Sequence, residues 1–106
     1  MSEAKLTVDA GVCRFKTTIH AVGSDDYMSV NLTIESDCPN VKNIIGSLKT
    51  VDAIEIVSPP LTNNSVMKIC DGTLPHPACP VPCAILKACE VASGNALKKN
   101  VTFTFE

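Results

Sequence analysis

Residues 76–83 read HPACPVPC, placing His76, Cys79 and Cys83 among three prolines, just before the helical pattern AILKACEVASG. Thiolates and an imidazole on stiff backbone suit a zinc ion or an iron–sulphur cluster, because rigid donors lose little entropy on binding. The C-x3-C spacing of Cys79 and Cys83 fits a zinc site. Pro82 suits the first turn of a helix, and Pro80 with Pro82 holds Cys79 in an extended approach. At about 100° per residue, Lys87 and Glu90 share the direction of Cys83, while Ile85, Ala88 and Ala92 lie opposite. Cys83 therefore projects from the polar side of a first turn, where the helix dipole favours the thiolate. Cys38, followed by Pro39, takes the same kind of place on an earlier helix.

The six cysteines divide into two groups. Cys70 follows Val66, Met67 and Ile69, and Cys89 lies one turn after Ile85 beside Ala88 and Ala92; both read as small core residues. Cys13, Cys38, Cys79 and Cys83 fall at element boundaries. Packing remains open for these as well, since Cys13 and Cys38 share the parity of a buried strand face and His76 beside Pro77 fits an ordinary loop. His20 points to the polar side of a strand. Asp25 and Asp26 are turn formers, and Lys98 with Lys99 reads as a solvated rim. There is no Gly-rich phosphate loop and no Ser/His/Asp signature.

The elements that must carry these residues follow from periodicity. Phe15, Thr17, Ile19 and Ala21 alternate along one run and Met28, Val30, Leu32 and Ile34 along the next, with GSDD between them, which predicts a β-hairpin. A turn centred between Ser24 and Asp25 pairs Phe15 with Ile34, Thr17 with Leu32 and Ile19 with Val30. Extended outward, that register sets Cys13 opposite Ser36 and close to Cys38. Leu6 and Val8 hint at a strand before the hairpin. Val41, Ile44, Ile45 and Leu48 form a helical stripe after Pro39. VDAIEIV and SVMKICD are each open between strand and helix, with cap residues at Thr62–Ser65 for the second. A helix runs from Pro82 to Ser93 with Gly94 as its stop. VTFTFE predicts a last strand with Val101, Phe103 and Phe105 on one side. The fold class is α+β: a hairpin-based antiparallel sheet packed by two or three helices, with a C-terminal strand.

The chain of 106 residues predicts a single domain, 1–106, and 45% hydrophobic with 19% charged residues is ordinary for a globule. Nine basic against eleven acidic residues, with four candidate stacking rings, give no expectation of nucleic acid. The apolar runs are too short for a bilayer. The opening MSEAKLTVDAG lacks the apolar core of a signal peptide, which makes the cytoplasm the default and metal, redox work or packing the use for six cysteines.

AGVC, ESDCP and HPACPVP, followed by ILKACEVASGNAL, resemble a family of small uncharacterised proteins from archaea and anaerobic bacteria. That resemblance covers nearly the whole chain, implies a stand-alone domain and supplies no activity. Cys13, Cys38 and Cys79 fall in its motifs, and Cys70, Cys83 and Cys89 look less typical of it. The layout also resembles iron–sulphur cluster scaffolds of the NifU/IscU type. Those have one cysteine before a hairpin, one after it at a helix start and one opening a late helix, the positions of Cys13, Cys38 and Cys79. KTVDAIEI and AILKA echo stretches of the same scaffolds. Phe15 departs from them, standing where they carry an acidic residue, and so does the segment from Val101.

The leading expectation is a protein that binds zinc or an iron–sulphur cluster through Cys13, Cys38 and Cys79, with Cys83 or His76 as fourth ligand. A protein client could receive the ion or cluster. One alternative is a redox protein or enzyme whose nucleophile is the thiolate of Cys38 or Cys83. Another is an interaction domain whose cysteines fill space.

Overall fold

A computed structural model describes residues 2–106. Four antiparallel strands form one sheet in the order β1-β2-β3-β4: β1 (Glu3–Asp9), β2 (Lys16–Gly23), β3 (Ser29–Ser36) and β4 (Thr50–Asp52). Three helices accompany it, α1 (Pro39–Lys42), α2 (Ser65–Asp71) and α3 (Val81–Ala92), with 3-10 turns at Ile45–Ser47, Glu55–Val57 and Leu61–Asn63. This is the expected α+β class, and no helix of the described residues is long and apolar enough to cross a membrane.

The alternation read from the sequence sorts the sheet's faces. Thr17, Ile19 and Ala21 of β2 and Val30, Leu32 and Ile34 of β3 are buried, joined by Ala4 of β1. Lys5, Thr7, Thr18, His20, Thr33 and Glu35 line the opposite, polar face. One-sided burial of this kind is what lets strict alternation survive along an antiparallel sheet. Over the apolar face lies α3, which packs on β1 and β2 and buries Val81, Ile85, Ala88, Cys89 and Ala92. Pro82 stands in its first turn, and Gly94, at φ 81°, ends it.

Three expectations change, and two segments left open resolve. The β2–β3 register pairs Ile19 with Ile34 and Thr17 with Ser36, so each β2 residue meets β3 four positions beyond the expected partner. The cause is the connection, which uses Ser24–Met28 and needs a left-handed residue, Tyr27 at φ 60°. An even shift preserves the inward face, but Phe15 and Met28 leave the core and are exposed. The stripe after Pro39 does not form one helix. It breaks at Asn43, because β-branched Ile44 and Ile45 beside Gly46 support a helix poorly. Val41, Ile44 and Leu48 are buried all the same. VDAIEIV divides into β4 and a 3-10 turn, and SVMKICD becomes α2, capped by Asn64 through the amides of Val66 and Met67. The C-terminal strand is not formed: residues 97–106 carry no regular structure, and Val101, Phe103 and Phe105 are exposed.

Candidate functional site: free thiols around one end of the sheet

The β1–β2 connection, residues 10–15, carries Cys13. Gly11 at φ 85° and Arg14 at φ 62° turn the chain there, and the loop closes on itself: Gly11 N–H donates to Asp9 Oδ1 at 3.0 Å, Arg14 N–H to the Gly11 carbonyl at 2.9 Å and Ala10 N–H to the Phe15 carbonyl at 3.2 Å. Cys13 is exposed on it, outside the β2–β3 ladder. The place opposite Ser36 belongs to Thr17, whose Oγ1 lies 2.7 Å from Ser36 Oγ. The diagonal pairing expected for Cys13 and Cys38 is therefore replaced by a looser relation. Asp37 N–H donates to the Lys16 carbonyl at 3.1 Å, so the base of the Cys13 loop and the segment bearing Cys38 share one end of the sheet.

Cys38 is the residue before Pro39, as expected, with its amide donating to Ser36 Oγ at 3.1 Å. Its side chain is half-buried and packs against the core. The helix it opens is a single turn of four residues, so the dipole invoked for Cys38 is weak. Cys79 is likewise half-buried against the core, two residues before α3, with its amide donating to the His76 carbonyl at 3.1 Å. The C-terminal end of α3 adjoins the opposite end of the sheet, where a methyl group on Gly23 would collide with the Ala92 carbonyl. Since α3 packs on β1 and β2, its N-terminal end, with Cys79, is directed away from Gly23.

Cys83 and His76 are both exposed. Cys83 lies on the polar side of the first turn of α3, as its helical position predicts. It borders a shallow groove of about 370 Å3 with Ile56, Val57, Leu61, Leu86 and Glu90 among its walls. The sequence showed Cys83, Lys87 and Glu90 on one helix face. It did not show the wall from Ile56 to Leu61, which only the chain's return after β4 supplies. Lys87 and Glu90 form an ion pair at 3.3 Å beside it.

The remaining thiols are buried, as expected. Burial pushes the Cys89 thiol up to about 12 and that of Cys70 up to about 11, with the neighbouring Cys79 adding to the second. All six cysteines are free, and among the described residues no three His, Cys, Asp or Glu side chains are gathered closely enough to hold a metal ion. The arrangement is one of two core-packed thiols, Cys38 and Cys79, and one exposed thiol, Cys13, on a loop.

A family model, described as a family of unknown function (DUF6951), matches residues 4–105. No curated protein and no solved structure matches the chain. The chain belongs to that family, and the expectation of an uncharacterised domain family holds.

Proposed function

We propose that this member of a family without an assigned activity binds zinc or an iron–sulphur cluster through Cys13, Cys38 and Cys79, with Cys83 or His76 as fourth donor. The observation that carries the reading is the shared end of the sheet: the Lys16–Asp37 hydrogen bond ties the base of the Cys13 loop to the approach of Cys38. Cys38 and Cys79 are held by packing, while the Cys13 loop is bonded chiefly to itself. Binding then requires the loop to close over donors whose positions are already set, and the thiols release protons as they ligate. The NifU/IscU-like order of the three cysteines supports the same set. Handing the ion or cluster to a protein client, in the cytoplasm, is the extension of this reading.

A second reading rests on Cys83, exposed on the first turn of a twelve-residue helix at the edge of a groove. There the protein is a redox protein or enzyme with Cys83 as its thiolate.

Elemental analysis and visible absorption of protein purified without oxygen or chelator separate the two. The metal reading expects near-stoichiometric zinc or a coloured cluster, lost in Cys13→Ser, Cys38→Ser and Cys79→Ser and kept in Cys70→Ser and Cys89→Ser. Because the donors serve one site, Cys13→Ser with Cys38→Ser should cost little more metal than either alone. Protein that carries no metal and takes up neither iron nor zinc overturns the reading.

A further inference from the structure

Among the described residues the seven-residue strand β1 is an edge of the sheet with no strand on its outer side, and the chain carries an unused strand-like segment, VTFTFE at 101–106. Phe103 and Phe105 are 81% and 101% exposed, and Val101 is 56% exposed. An open strand edge and a free alternating apolar segment are the two halves of a β-augmentation. We propose that residues 102–106 of one copy pair antiparallel with β1 of a second copy, reciprocally, so that two sheets close into a dimer.

The register follows from matching both faces. Setting Phe105 opposite Leu6 and Phe103 opposite Val8 places the rings on the inner side of the sheet, beside residues only partly buried at the margin of the core. The outer side then pairs Glu106 with Lys5, Thr104 with Thr7 and Thr102 with Asp9. The antiparallel alternative with Phe103 opposite Leu6 and Phe105 opposite Ala4 puts Glu106 against Glu3. A parallel match of Phe103 with Leu6 and Phe105 with Val8 sets Glu106 beside Asp9. Charge selects the first register.

Chain reach selects the second copy. Helix α3 ends at the start of β1: the Ala92 carbonyl faces Gly23, whose amide donates to the Ser2 carbonyl at 2.8 Å. The chain is still tied there at Asn95, whose amide donates to the Glu90 carbonyl at 2.9 Å and whose Nδ2 donates to Ser93 Oγ at 2.8 Å. To meet its own Asp9 with Thr102 it must travel the length of β1, roughly 23 Å at about 3.3 Å per residue. The steps from Asn95 to Thr102 span at most about 25 Å when fully extended, and a reversal of direction takes roughly four residues more. Its own edge is out of reach in this direction, and a second copy's edge is not. Reciprocal exchange is isologous, so it closes at two copies instead of growing into a fibre.

Light scattering on the full chain between about 10 and 500 μM tests this. The expected mass is that of a dimer. Phe103→Ser with Phe105→Ser should raise its dissociation constant about a hundredfold or more, because both rings leave the interface. Lys5→Glu or Glu106→Lys should weaken it about two- to fivefold, and the two together should recover the original value. Amide exchange along β1 should slow with dimerisation. A monomer at every concentration overturns the proposal, including one whose β1 amides lose protection in the Phe variants, which would show the segment on its own edge. So does a dimer indifferent to the Phe pair, or one in which the charge exchange gives no recovery.

Discussion

The two ends of the sheet are built differently. At the β2–β3 turn, Ser24 Oγ accepts from the amides of Met28 at 3.2 Å and Ser29 at 3.1 Å while donating to Asp26 Oδ1 at 2.5 Å. Asp26 Oδ1 also accepts the Met28 amide at 3.0 Å. Gly23 lies under the Ala92 carbonyl, and the Tyr27 ring packs by Gly94. Turn, strand end and helix end are thus locked into one assembly. At the other end the loop of residues 10–15 bonds mainly within itself, leaves Val12 fully exposed and carries Cys13 to its surface. Local stability follows buried apolar contact and protected hydrogen bonds. The turn end is thereby fixed by several mutual contacts, whereas the loop carrying Cys13 is held mainly by its own hydrogen bonds.

The largest expected effect tests the locked end. Gly23→Ala places a methyl group against backbone, which cannot give way cheaply, and should cost about 3 kcal/mol in urea unfolding. Gly46→Ala meets open space and should stay within about 0.5 kcal/mol. Equal effects at the two glycines would remove the close helix–strand contact from the account.

The cysteines sharpen the contrast next. Cys89→Ser buries a hydroxyl in an apolar setting and should destabilise by roughly 1–3 kcal/mol, whereas Cys83→Ser, at the surface, should change stability by less than about 0.5 kcal/mol. With any metal removed, alkylation of the folded protein should follow the same division, with Cys13 and Cys83 fast and Cys70 and Cys89 slow. Uniform protection of all six in the folded, metal-free protein would favour cysteines that only fill space.

Alkaline pH probes the buried pair a second way. Burial pushes the folded thiols of Cys70 and Cys89 up to about 11 and about 12, above the unfolded value of about 8.5. The folded state therefore holds protons that the unfolded state releases, and stability should decline from about pH 8.5 until the folded thiols ionise. Cys89→Ala should flatten that decline in urea midpoints between pH 8.5 and 10.5. A slope identical to that of the original protein would place the titration elsewhere.

Which of these features the sequence disclosed depends on the kind of signal. Burial of Ile19, Ala21, Val30, Leu32, Ile34, Cys70 and Cys89 was legible because strands repeat every two residues and helices every 3.6. The hairpin register was not, because alternation is unchanged by an even shift and the turn formers GSDD do not disclose that the loop extends to Met28. That four-residue shift is what moved Cys13 out of the ladder and away from the place opposite Ser36. VTFTFE has the alternation of a strand, but alternation does not supply a partner edge, and residues 97–106 carry no regular structure. The groove beside Cys83 depends on the segment Ile56–Leu61 returning to α3, a long-range contact with no local signature.

The smallest expected effect isolates one charge at the locked end. The hydroxyl of Ser24, and after it the amide of Met28, hold the Asp26 carboxyl below the ordinary carboxylate range, with the slight burial opposing them. A carboxylate whose folded pKa is depressed contributes stability that is present above its unfolded value, about 3.9, and is lost as pH falls through the folded value. Asp26→Asn keeps an oxygen that can accept both hydrogen bonds and removes only the charge. The variant should therefore be slightly less stable than the original protein at pH 7, and the two should converge on acidification below about pH 3.9, as Asp26 of the original protein becomes neutral. Urea midpoints measured at pH 7, 4 and 2.5 follow that convergence. A difference that persists unchanged at pH 2.5 would assign the effect to altered loop geometry, and the turn's lock would then rest on Ser24 and the helix contact alone.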